Sequence, residues 1–106
     1  MSQGAARRVF LDVPDLLFRS RLQAVARRAG VEITKEEGAC EVAVVALEAP
    51  GAERRLSALL GRGIAVLAFG SHVEAEQLRA AREAGAEAVP NSQVASRLAF
   101  LLAAPQ

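Results

Sequence analysis

The sequence contains no tryptophan and no tyrosine, and only one histidine, one lysine and one cysteine. A single cysteine, Cys40, excludes an intramolecular disulfide framework and makes a reducing compartment, the cytoplasm, the default expectation. One histidine beside one cysteine excludes a zinc centre of the usual Cys/His kind. No apolar run approaches the eighteen or so residues that span a bilayer. Met1–Arg8 lacks the apolar stretch of a secretion signal, so neither membrane attachment nor export is expected. An excess of one charge is missing too. Thirteen basic residues stand against twelve acidic ones, for a net +1, whereas a dedicated nucleic-acid binder needs a concentrated basic field.

What is present is an ordinary core-forming composition. Apolar residues make up 52% of the 106 and charged ones 24%. That is one domain with enough apolar surface to fold without staples. Short apolar runs alternate with helical patterns along its length. Arg8–Asp12 is a short strand ended by Pro14, and Asp15 to Arg28 repeats at helical spacing through Phe18, Leu22 and Val25, stopped at Gly30. Val31–Thr34 is a second strand. Glu41–Leu47 is apolar almost throughout and reads as a central strand covered on both faces. Pro50–Gly51 opens a helix carrying Leu56, Leu59 and Leu60. Ile64–Phe69 is another apolar strand. Ser71 to Glu74 has the capping-box spacing, with Ser71 as cap and Glu74 reaching back, for a helix ending at Gly85. Ala86–Val89 is a last short strand, and Ser92 caps a helix through Val94, Leu98 and Leu102. Strands alternating with helices predict an α/β three-layer sandwich around a doubly wound, five-stranded parallel sheet. Residues 1–106 form the one domain, with an extended or disordered start over about residues 1–7.

One connection departs from the pattern. Only Lys35-Glu36-Glu37-Gly38-Ala39-Cys40 separates the second strand from the third. Six residues hold one helical turn at most, so the second helix is shortened or missing. Extended, they reach about 20 Å, enough to cross one intervening strand but not to lay a helix over it. The sheet edge near Phe10, Val31 and Ile33 is therefore expected to lack its cover and to serve as a partner or dimer surface.

Three stretches together resemble the receiver domain, the phospho-acceptor module of two-component response regulators. Glu41-Val-Ala-Val-Val-Ala-Leu-Glu-Ala-Pro-Gly51 is similar to the third strand and following turn of that family. Ala80-Ala-Arg-Glu-Ala-Gly-Ala86 is similar to its fourth helix and fifth strand. Val9-Phe-Leu-Asp12 with Pro14 is similar to its opening strand and acidic end. The resemblance runs over roughly Arg8 to Leu102 and implies a flavodoxin-like strand order of 2-1-3-4-5. The chemistry does not follow it. Phosphoryl capture needs a nucleophilic carboxylate, an acidic pair holding a divalent cation, and a hydroxyl and a lysine on the phosphoryl oxygens. At the matching positions stand Ala46 for the nucleophile, Ala68 for the hydroxyl residue and Ser92 or a neighbour for the lysine. Asp12 is the one surviving acid, with Val13 beside it. A slip of the alignment brings Ser71 near the hydroxyl position, but Lys35, the sole lysine, is on another loop.

The remaining polar residues each have two readings. Asp12 and Asp15 form a relic cation or ligand site, or they accept backbone hydrogen bonds and cap the first helix. Glu48 stands in for the nucleophile from beyond the strand end, or is solvated. His72 follows the fourth strand on the edge where doubly wound proteins bind ligands, or is a solvated loop residue without a nucleophile to serve. Cys40 is a small core residue or, given a basic setting, a reactive thiol. The arginines read as solvated helix faces. The expectation is a bacterial, cytoplasmic, non-enzymatic pseudo-receiver. It works without phosphorylation, by binding a protein partner or a second copy, with no metal, cofactor, nucleic acid or membrane. The alternative is a small-ligand binder at the carboxyl edge, using Asp12, Asp15, Ser71, His72 and Ser92.

Overall fold

The computed structural model describes residues 7–103. Apart from Arg7, the expected extended start lies outside the described residues. Five strands, β1 (Arg8–Asp12), β2 (Glu32–Thr34), β3 (Val42–Ala46), β4 (Ala65–Gly70) and β5 (Glu87–Pro90), form one parallel sheet in the order 2-1-3-4-5. Four helices connect or follow them: α1 (Leu16–Arg28), α2 (Ala52–Gly61), α3 (Ala75–Ala84) and α4 (Val94–Ala103). This is the doubly wound, flavodoxin-like sandwich that the alternation of patterns predicts, with one helix fewer than the five strands invite.

The register divides the core into two unlike faces. In a parallel pair, aligned residues share a face and their chain neighbours take the other. Val9, Leu11, Val44, Leu67 and Phe69 belong to the face covered by α1 and α4, where the Phe18 ring of α1 lies 5.4 Å from that of Phe69. Asp12, Ala43, Val45, Val66, Ala68 and Ala88 belong to the face covered by α2 and α3. The first face is filled by branched and aromatic side chains, the second mainly by alanine and valine. Ala43 to Ala46 are all buried, as befits the central strand β3.

The short crossover carries no helix. Residues 35–40 make turns, with Glu36 N–H donating to Thr34 Oγ1 at 3.1 Å. Two features place this loop across the sheet edge. Glu41 N–H donates to the Arg8 carbonyl while Arg8 N–H donates to Glu41 Oε1. Arg62, at the end of α2, lays its guanidinium 2.9 Å from where a Cβ on Gly38 would stand. Gly38 has φ +88°, a conformation that glycine adopts at little cost.

The expected bare strip is corrected at Val31. Val31 is 5% exposed and part of the core, because the chain returning from α1 tucks it beneath that helix. Phe10 and Ile33 are half-buried and pack against the same core. Cys40 of the loop packs against the core, and Arg62 meets the loop at Gly38.

Candidate functional site

In a doubly wound sheet the chain leaves each strand at the carboxyl edge, and ligands collect where neighbouring connections diverge to opposite faces. Here that place lies between β1, whose chain turns into α1, and β3, whose chain turns into α2. β1 ends on Asp12, and Val13 behind it is 2% exposed. Pro14 ends the strand, and Asp15 is the N-cap of α1: its Oδ1 accepts from the N–H groups of Leu17 at 2.9 Å and Phe18 at 3.1 Å. Of the two readings of Asp15, the structure shows the capping one, through Oδ1.

Asp12 is engaged otherwise. Its Oδ2 accepts from Nε of Arg55 at 2.6 Å, across 43 positions of sequence. The same guanidinium donates through NH2 to the Pro50 carbonyl at 2.6 Å. Both side chains are largely withdrawn from solvent, Asp12 17% and Arg55 28% exposed. Arg55 sits one helical turn after Gly51, whose φ of +75° turns the chain into α2 and whose missing side chain leaves space beside the guanidinium. The acidic position therefore carries its own cation, a fixed guanidinium held by a carboxylate and a carbonyl.

Ala46 ends β3 at 2% exposure and is aligned with Phe69 of β4. The residue beside Ala46 is thus Phe69, one past Ala68, and neither offers a hydroxyl. Ser71 follows β4, and its Oγ accepts from Val73 N–H at 3.3 Å. The expected capping box does not form. α3 begins at Ala75 with Glu74 as its N-cap and no side-chain cap bond. The Ser71 hydroxyl is satisfied two residues on, so a turn intervenes before the helix. His72 is exposed on that turn, and Glu48 is exposed past the end of β3. Ser92 does not cap α4 either. It is exposed within a single 3-10 turn, Asn91–Gln93, inserted between β5 and the helix. Asp12, Asp15, Ser71, His72 and Ser92 all lie toward the carboxyl edge, yet no hydrogen bond joins any two of them among the described residues.

The edge offers little chemistry of its own. Among the described residues no group of three His, Cys, Asp or Glu is placed to hold a metal ion. A hollow of about 750 Å³ is an open groove between α2 and α3 with Leu47, Leu56 and Ala81 in its lining, and none of the expected site residues lines it. Cys40 is half-buried, and burial pushes its thiol pKa up, opposed in part by hydrogen bonding to the Gly38 backbone. A thiol so placed is not activated as a nucleophile. Sequence reasoning missed Arg55, which looked like one solvated arginine among twelve. Only the adjacency of β1 and β3 brings the first turns of α2 beside Asp12.

The fold has counterparts among solved structures. A candidate response regulator from Chloroflexus aurantiacus J-10-fl is similar with a TM-score of 0.76 at 15% identity, over 92% of this chain and 95% of that one. The fold is that of a receiver domain. The CheY-like response regulator receiver domain protein from Methanospirillum hungatei JF-1 matches with a TM-score of 0.73 at 13% identity, over 92% and 94% of the two chains. A response regulator from Hahella chejuensis matches with 0.69 at 14% identity, over 95% of this chain and all of that one. No protein-family model matches the sequence, and no curated protein matches it. Likeness of shape at such low identity establishes the receiver fold and leaves the activity to be argued from the residues.

Proposed function

We propose that this chain is a phosphorylation-independent receiver-fold module that acts by binding a protein partner and catalyses no reaction. The observation that carries this reading is the exchange at the carboxyl edge. Where the resemblance places a phospho-acceptor there is a buried alanine, Ala46. Where it places a cation-binding acid, Asp12 is occupied by the guanidinium of Arg55. A phosphoryl group finds no carboxylate at the acceptor position, and a divalent cation would have to displace a charge-assisted bond from Asp12. Such a surface serves recognition better than turnover.

The protein belongs, on this reading, to a bacterial cytoplasm, where one half-buried thiol stays reduced. Among the described residues no helix is long and apolar enough to cross a membrane. The test is incubation with acetyl phosphate and magnesium followed by intact mass and peptide mapping. The expected result is an unchanged mass. A single added phosphate on any acid of the carboxyl edge overturns the reading.

A further inference from the structure

The net charge of +1 conceals a strong asymmetry. α1 carries Arg19, Arg21, Arg27 and Arg28 and no acid, and α4 carries Arg97 and no acid. With five positive charges on these two helices, the rest of the chain nets four negative ones. α1 and α4 pack side by side on one face of the sheet, so that face is basic and the remainder acidic. Arg19 is committed to the Leu11 carbonyl and Arg97 to Glu87. Arg21, Arg27 and Arg28 are exposed, and among the described residues none has a carboxylate within ion-pairing distance. The helix dipole accounts for arginines in the last turn of α1, but not for Arg21 at mid-helix.

An apolar hollow accompanies these charges. Val25, Arg28 and Ala29 of the α1 side and Ala99 and Ala103 of α4 enclose about 220 Å³. Leu17, Arg21, Ala24 and Arg28 recur at helical spacing along one exposed stripe of α1. On α4, Phe100 is 61% exposed, with the Arg97 guanidinium 4.6 Å from its ring centre. The hollow between the two helices is thus walled by Val25, Ala29, Ala99 and Ala103, with the cationic Arg28 in its lining.

We propose that the groove between α1 and α4 is the docking site for an acidic amphipathic helix of a partner protein, seating an aliphatic side chain in the hollow and setting carboxylates against Arg21 and Arg28. The proposal rests on the interaction reading above and names the surface and the partner's chemistry. Complementary charge selects this occupant. A second copy docked by a two-fold through the same groove would set these arginines against one another. Nucleic acid would match the charge but has no aliphatic group to fill the hollow. A helix laid between two others is the ordinary solution for an apolar stripe of this width.

The test is a display library of helical peptides of about twenty residues, long enough to hold helix, with leucine fixed along one stripe and the flanking positions varied, selected against the full chain. The recovered peptides are expected to be enriched in Asp and Glu. Their Kd, read by fluorescence anisotropy, should rise roughly tenfold or more in the double variant Arg21→Glu/Arg28→Glu and in Ala99→Trp, which fills the hollow, and should weaken with salt. All three positions are exposed, so unchanged thermal unfolding serves as the folding control. No peptide recovered, peptides without acidic bias, or equal binding by the variants overturns the proposal. So does tighter binding of a labelled DNA duplex or of phosphatidylserine vesicles. Running each titration with and without acetyl phosphate and magnesium separates the two claims. An affinity that responds overturns phosphorylation independence and leaves the groove standing, whereas indifference to charge reversal overturns the groove alone.

Discussion

Replacing Arg55 with alanine isolates the ion pair at the carboxyl edge. The substitution removes the 2.6 Å bond to Asp12 and the 2.6 Å bond to the Pro50 carbonyl, and it leaves a carboxylate only 17% exposed without its cation. A solvent-exposed pair contributes at most about 1 kcal/mol, and breaking a fully buried one costs about 3–5 kcal/mol. This pair lies between those limits, so Arg55→Ala should cost about 1–2 kcal/mol, or roughly 4–15 °C in Tm for a domain of this size. The double variant Arg55→Ala/Asp12→Ala should recover part of that loss, because no unpaired charge is then left behind. A coupling of about 1 kcal/mol in the cycle is expected. Urea unfolding of the four proteins measures it. Magnesium gives a second readout on Arg55→Ala. A lone carboxylate binds the ion so weakly that a few millimolar should restore well under about 0.5 kcal/mol. Coupling indistinguishable from zero would refute the account of the pair. Full rescue by magnesium would show that the arginine merely hides a working cation site.

Three further outcomes follow from the packing. Ala46→Asp should lose about 2–4 kcal/mol in urea unfolding, since it puts a carboxylate at a 2% exposed strand end, and it should still take up no phosphate from acetyl phosphate by intact mass. Val31→Glu should unfold the domain or cost a similar amount, by the same measurement, because Val31 is core and not a bare surface. Cys40, its thiol pKa raised by burial, should alkylate with iodoacetamide more slowly at pH 8 than the same residue in urea. Because the folded state keeps that proton to higher pH, this group's stabilising contribution should be present below the unfolded thiol pKa and fade as pH rises through the interval above it.

Much of the fold was legible because its signals are local. β1 runs from Arg8 to Asp12, where the apolar run and Pro14 place it, and Asp15 caps α1 as its side chain and spacing suggest. The strand order followed from the resemblance to receiver domains, and the sheet has that order. The readings that failed concern where a hydroxyl spends its hydrogen bond. Ser71 and Ser92 each stand before a helical pattern, but each belongs to a tight turn, and the helices begin later, at Ala75 and Val94. Spacing alone does not register such a delay. Val31 looked uncovered because the crossover after its strand is too short to carry a helix, and only the path of the chain beneath α1 shows it covered. Arg55 was the hardest to see. Nothing about its local sequence separates it from Arg54, and its role depends on two strands far apart in sequence being neighbours in space.

The Asp12–Arg55 contact has a thermodynamic consequence of its own. A site that holds a free cation fills and empties by mass action, so its state reports the activity of a solute. An arginine tethered to the same chain is present at a concentration set by geometry, and no dilution or chelator removes it. A dissolved cation reaches Asp12 only in competition with that tethered guanidinium, which lowers its apparent affinity. Variables remain to which such a domain can respond: its own abundance, and the free energy that another macromolecule brings when it docks.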